Sequence, residues 1–178
     1  MKKRTVTWAE HQGLVSKICR DITVSGCKTD YVVGLTRGGL LSAVMISHYL
    51  EVPCETLKVS LRDENFLETN CWMAEDAFGH YVYDTMASGD GKKNILIVDD
   101  INDQGTTINW ILKDWQSSCF PDDERWQDEI WNYNVRFAVL FDNLASNAEI
   151  KVDYVGEEIN KAENDVWIDF PFEDWWMK

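Results

Sequence analysis

A single α/β domain with a mainly parallel central sheet is the fold class this sequence predicts, on three observations. Short apolar runs alternate with stretches of helical periodicity, and the order strand, helix, strand demands a crossover and therefore parallel pairing. One run, Ile95–Val98 in "NILIVDD", is apolar without a break, as a strand covered on both faces must be. The 178 residues suffice for one core of common size and fall short of two.

The elements follow in order. "TVTWAEHQGLVSKICRDI" places Thr7 three residues before Glu10, a capping box, and then Leu14, Val15, Ile18 and Ile22 at helical spacing, so a helix is expected from about Trp8 to Ile22. "DYVVGL" reads as a short buried strand, "RGGLLSAVMISHYL" as the apolar helix it turns into, and "CETLKVSL" as the next strand. From Arg62 to Lys93 the periodicity fails. That acidic stretch is too long for plain loop and carries either a hairpin at "GHYVYDTM" or a mobile lid. "NILIVDD" resumes the sheet and "TTINWILKDWQ" is its helix. Pro121 and the acids behind it begin a short helix in "PDDERWQDEIWNYN"; "VRFAVLF" and "VDYVGE" are two further strands. The aromatic, acidic tail "DVWIDFPFEDWWMK" should fold over something, since Pro171 breaks its regularity.

Composition excludes several classes. No apolar run approaches the roughly 20 residues of a membrane helix, and "MKKRTVTW" lacks the apolar stretch of a secretion signal, so a cytoplasmic protein is expected. Cys19, Cys27, Cys54, Cys71 and Cys119 stand singly, without metal or redox spacing, and read as reduced small hydrophobes. A formal charge of −14 opposes any nonspecific grip on nucleic acid. An anionic ligand must therefore be held by a local site. The nine tryptophans suit a core or an interface, with Trp126 and Trp131 the candidates for contact between subunits of a dimer or tetramer.

The stretch "ILIVDDINDQGTT" carries the chemistry. A buried parallel strand delivers its last residues to the carboxyl edge of the sheet, where open α/β folds bind ligands. Asp99 and Asp100 there can accept hydrogen bonds from vicinal sugar hydroxyls and help hold magnesium. The amides from Asp103 to Thr107 lie at a helix start and form a phosphate cradle, with Gly105 permitting close approach and two threonine hydroxyls adding donors. Twin acids beside an amide nest describe a receptor for a ribose phosphate. A strand ending in acids could also be the magnesium strand of a phosphate-loop nucleotidase, but no G-x-x-x-x-G-K-[ST] occurs in the chain.

In these residues the chain resembles the type I phosphoribosyltransferases, whose substrate-binding signature is an apolar strand, two acids and a phosphate turn. "VVGLTRGGLLSAVMISHYL" resembles the family's first-strand loop, while "TVTW" and "VWIDFPFEDWW" are similar to the xanthine-guanine branch. The resemblance implies transfer of a phosphoribosyl group from phosphoribosyl pyrophosphate to a purine, with guanine, xanthine or hypoxanthine favoured, in magnesium-dependent purine salvage. It implies a domain spanning 1–178, with a lid-like insertion over 61–93, a helical insertion over 121–134 and a hood over the base site formed by 157–178.

Residue by residue, the resemblance implies that Asp99 and Asp100 meet the ribose hydroxyls and the magnesium shell, and that Asp103 is the general base. Gln104, Gly105, Thr106 and Thr107 would wrap the terminal phosphate, and Arg37 with the Gly38 amide would hold pyrophosphate. Trp167 would cover the purine face, and the backbone of Trp167, Ile168 and Asp169 would read its edge. Two positions depart from the family pattern. "LFDNLAS" offers Asn143 where the oxopurine branch has a lysine that donates to the base carbonyl, and "SLRDEN" lacks the tyrosine expected beside the family's serine. The alternatives are a transferase for another base, or a non-catalytic sensor of phosphoribosyl pyrophosphate or nucleotide that acts through a protein partner.

Overall fold

A computed structural model describes residues 2–59, 71–79 and 91–177. In chain order these form β1 (Lys2–Thr5), α1 (Trp8–Ser25), β2 (Tyr31–Thr36), α2 (Leu40–Leu50), β3 (Cys54–Lys58), α3 (Cys71–Phe78), β4 (Ile95–Asn102), α4 (Thr106–Ser118), β5 (Val135–Asn143), β6 (Tyr154–Ile159) and β7 (Val166–Asp169). A π-helical turn spans Trp126–Ile130 and a 3₁₀ turn Trp175–Met177. The main sheet runs β3-β2-β4-β5-β6 with every pairing parallel, and β1 and β7 make a separate parallel pair.

Local chemistry explains the first helix. The Thr7 hydroxyl accepts from the Glu10 amide at 3.2 Å, and the Glu10 carboxylate accepts from the Thr7 amide at 2.8 Å, so the capping box closes. Gly26, at φ 68°, ends the helix in the left-handed conformation that glycine adopts without strain. The apolar stripe Val15, Ile18, Cys19 and Ile22 then packs against the sheet.

Alternation along the strands builds two cores. Val32, Leu96 and Val98 face α1 and α2, while Val33, Leu35, Ile95 and Ile97 face the opposite layer with α3 and α4. Each of these side chains is nearly inaccessible, and burial of one contributes about 1.5–3 kcal/mol. The central position of β4, between β2 and β5, is what its unbroken apolar run requires.

Several expectations need correction. β1 and β7 were not legible as strands: Lys2–Thr5 has no apolar alternation and is extended because it pairs, Lys2 with Val166 through Thr5 with Asp169. Trp126 and Trp131 are not at an interface. They are buried and stack at 5.2 Å between ring centroids, and the Trp126 indole N–H donates to the Cys119 carbonyl at 2.9 Å. Within 61–93, residues Cys71–Phe78 form a helix whose Met73, Ala74, Ala77 and Phe78 are buried in the core, so this part belongs to the body of the domain and not to a lid. The hairpin expected at "GHYVYDTM" and the "SLRDEN" stretch lie almost wholly outside the described residues. Among the described residues no helix is long and apolar enough to cross a membrane.

Candidate active site

Strand pairing opens the site. β2 pairs with β4 only as far as Gly34 with Val98, whereas β4 stays paired with β5 to Asn102 with Asp142. Asp99 is thus the first residue of β4 beyond its β2 neighbour. The crossovers leave β2 and β4 in opposite directions, so this gap is a topological switch point at the carboxyl edge of the sheet.

The loop after β2 is pressed onto the acids. A Cβ at Gly38 would overlap the Asp100 carboxylate, and one at Gly39 would overlap the Val98 carbonyl and lie 2.7 Å from the Asp99 Cα. Only glycines allow this approach. The adjoining Thr36–Arg37 peptide is cis.

Each acid also accepts from the backbone: Asp99 from the Asp100 amide at 3.0 Å, Asp100 from the Ile101 amide at 2.8 Å. Burial pushes the Asp99 carboxyl well above the usual carboxylate range, and the neighbouring Asp100 charge adds to the shift. Asp100 is likewise raised by burial. Among the described residues no lysine or arginine forms a salt bridge with either acid.

An oxygen-only pair of this kind fits a hard divalent cation such as magnesium. Such an ion takes one or two carboxylates and completes its shell with ligand phosphate and water. Among the described residues no cluster of three metal-ligating side chains exists.

Beyond the acids the chain turns through Gly105, at φ 82°, into α4. A Cβ at Gly105 would overlap the Ala148 amide nitrogen, because the loop after β5 is packed behind the turn. The Asn147 amide donates to the Gln104 carbonyl at 3.2 Å, and the Asn109 side chain to the Asn147 carbonyl at 2.9 Å. No side chain caps α4, and among the described residues the amides of Gln104 to Thr107 donate to no acceptor outside the helix. They form a donor nest at the positive end of a 13-residue helix.

A recess of about 310 Å³ is lined by Asp99, Asp100 and Asp103 together with Gln104, Gly105, Thr106 and Thr107. The sequence-predicted acids and phosphate turn therefore share one cavity. A second recess, about 520 Å³, is lined by Arg37, Gly38, Asp100, Trp167 and Asp169 among others. Asp100 is the wall common to both.

The tail residues divide. Trp167 is half exposed and faces the second recess, whereas Ile168 is buried in the core. The Asp169 carboxylate accepts from the Thr5 hydroxyl at 3.3 Å and pairs with Lys3 at 3.6 Å, and its carbonyl accepts from the Val6 amide at 2.8 Å. Among the described residues β7 has β1 as its one strand neighbour.

Asn143 is engaged inside the protein. Its side-chain amide donates to the Asp103 carbonyl at 2.8 Å, and its oxygen accepts from the amides of Ala145 at 3.2 Å and Lys161 at 3.0 Å. Asn143 thereby brackets two loops. Sequence reading missed Lys161. Its ammonium donates to Asp103 Oδ2 at 2.9 Å, bringing a cation from the loop after β6 to the proposed general base. The two residues are 58 positions apart, and no motif links them.

Comparisons with known proteins agree with this geometry. The family model for the phosphoribosyl transferase domain matches residues 9–173. Among solved structures, the chain is similar to purine phosphoribosyltransferase from Pyrococcus horikoshii Ot3, with a TM-score of 0.64, 20% identity, and coverage of 97% of this chain and 95% of that one. Helicobacter pylori xanthine-guanine-hypoxanthine phosphoribosyltransferase gives 0.63 at 18% identity, covering 98% and 96%. A hypothetical protein from Neisseria gonorrhoeae with bound ppGpp gives 0.61 at 20% identity, covering 97% and 90%. No curated protein matches the chain by sequence.

Proposed function

Because this chain belongs to the phosphoribosyl transferase domain family, we propose that it transfers the phosphoribosyl group of phosphoribosyl pyrophosphate to a purine base, releasing pyrophosphate and forming a nucleoside monophosphate. The observation that carries the proposal is the shared cavity of Asp99, Asp100, Thr106 and Thr107: acids suited to a sugar and a donor nest suited to a phosphate, supplied by one strand-to-helix turn. The purine phosphoribosyltransferase folds to which the chain is similar support the choice of base class.

The residues divide the work along the substrate. The Gln104–Thr107 amides and hydroxyls hold the 5′-phosphate, and Asp99 and Asp100 accept from the ribose hydroxyls. Arg37 and the Gly38 amide lie in the second recess, where they hold the pyrophosphate. Trp167, in the same recess, offers its ring to the purine. Magnesium, when bound beside Asp99 and Asp100, supplies positive charge to the oxygens that carry the departing pyrophosphate. Arg37 adds fixed charge on the same side. The base nitrogen forms a bond to the anomeric carbon as the carbon–oxygen bond to pyrophosphate breaks; Asp103 takes the proton from the base. The purine forms make hypoxanthine, guanine and xanthine the favoured acceptors, with purine salvage the setting.

Incubation of the protein with phosphoribosyl pyrophosphate, magnesium and a panel of bases, followed by detection of pyrophosphate and nucleotide, tests the reaction. Stoichiometric nucleotide and pyrophosphate are expected. Tight binding without turnover would favour a sensor instead.

A further inference from the structure

We infer that a recess at the amino edge of the sheet, opposite the candidate active site, is a second binding site, which takes the phosphate group of a small molecule. It encloses about 430 Å³ and is lined by Cys27, Lys28, Lys92, Glu129 and Arg136 among others. The inference uses none of the residues assigned to the reaction proposed above and stands apart from it.

Topology gathers the cations. Lys28 lies in the loop before β2, Lys92 in the loop before β4, and Arg136 is the second residue of β5, in register with Leu96. Because β2, β4 and β5 are adjacent and parallel, their starts meet at one edge of the sheet while Asp99 and Asp100 stand towards the other. Ile95 and Asp99 are four steps apart along β4, roughly 13 Å of strand.

Arg136 is partly buried, and among the described residues its guanidinium makes no hydrogen bond or salt bridge. The Asp153 carboxylate, close enough to feel its charge, accepts instead from the Phe137 amide at 2.8 Å and the Asn132 side chain at 3.1 Å. A planar fork of five N–H donors is thus left for an oxyanion. Lys92 is committed to Glu129 at 2.7 Å, whereas Lys28 is exposed and in no salt bridge among the described residues. Cys27 senses the resulting field. Its thiol is held below the ordinary value by the Ser25 and Tyr154 hydroxyls and by the Arg136 charge, which outweighs that of Asp153.

Cations from three chain segments suit the several oxygens of a phosphate better than the two of a carboxylate. An extended polyanion is turned away by the formal charge of −14, so the ligand is small.

Cys27 supplies a local readout. Its alkylation by iodoacetamide, followed by peptide mass, is measured against rising inorganic phosphate, adenosine monophosphate or acetate at constant ionic strength, with Cys54, outside the lining of the recess, as reference. Inorganic phosphate or the nucleotide should slow Cys27 saturably while Cys54 holds its rate, and the more effective of the two identifies the source of the phosphate. Arg136→Gln should raise the half-protecting concentration by about 10- to 100-fold, through loss of charge-assisted hydrogen bonds. Lys28→Met should shift it in the same direction and, at an exposed position, serves where Arg136→Gln melts early.

No slowing of Cys27 by either phosphate, equal slowing by acetate, or protection unchanged in both variants would overturn the inference. Transfer to a base is assayed separately, and its absence would leave this site untouched.

Discussion

Asp100 lies against Gly38 so closely that no Cβ fits between them. The contact joins the loop after β2 to the end of β4 and fixes the spacing between the loop proposed to hold pyrophosphate and the acids proposed to hold the sugar. Gly38→Ala must push one of them aside. Over-packing of this kind costs about 1–3 kcal/mol, so the thermal midpoint should fall, and KM for phosphoribosyl pyrophosphate should rise as the loop is displaced. Melting curves and initial rates on the same preparation check both.

Asp99 and Asp100 cost the fold stability at neutral pH. Their carboxyls are raised above the ordinary value of 3.8, so the folded state holds protons that the unfolded state releases. Stability from these groups is complete below about pH 3.8 and is lost as pH rises through their folded values. Asp99→Asn and Asp100→Asn keep an oxygen that accepts from the next amide. Each should therefore raise the apo midpoint at pH 7, with the gain shrinking towards pH 4, while abolishing transfer. Scanning calorimetry across that range reads the sign.

His11 gives the opposite dependence. It is buried, bonded through Nε2 to the Ser42 hydroxyl at 3.1 Å and packed edge-on to Phe172, and burial lowers its pKa below 6.5. The unfolded chain takes up a proton near pH 6.5 before the folded one does, so this contribution is present above that pH and lost as pH falls through the folded value. His11→Gln should flatten the dependence of unfolding free energy on pH below 6.5, measured by urea titration.

Asn143 ties Asp103 to the loop bearing Lys161. Asn143→Ala leaves the amides of Ala145 and Lys161 and the Asp103 carbonyl without this partner. A cost of about 1–3 kcal/mol follows for a buried unsatisfied group, together with lower kcat as Asp103 loses its fixed position. Chemical denaturation and steady-state rates distinguish this outcome from a position that only reads the base, which would leave stability unchanged.

What was legible in the sequence was local. The capping box of α1, the unbroken apolar run of β4 and the acid–glycine–threonine turn each carry their own chemistry within a few residues, and the structure assembles them as that chemistry requires. β1 was hidden because Lys2–Thr5 is extended only through its pairing with β7, some 160 residues away. The helix α3 could have been found: Met73, Ala74, Ala77 and Phe78 occupy one helical face, but the acidic setting obscured it. Trp126 and Trp131 mark a core, since sequence distinguishes large apolar residues from polar ones and not a covered face from a shared one. Lys161 lay beyond any motif, because Asp103 and Lys161 meet only after β5 has been laid beside β4 and β6 beside β5.

Titration calorimetry with phosphoribosyl pyrophosphate and magnesium, on wild type and on the double variant Asp99→Asn, Asp100→Asn, tests the account's central claim most directly. The account predicts one site per chain for the wild type and affinity weakened by at least about 100-fold in the double variant, from the loss of two charge-assisted contacts. Equal affinity in the two proteins would contradict it.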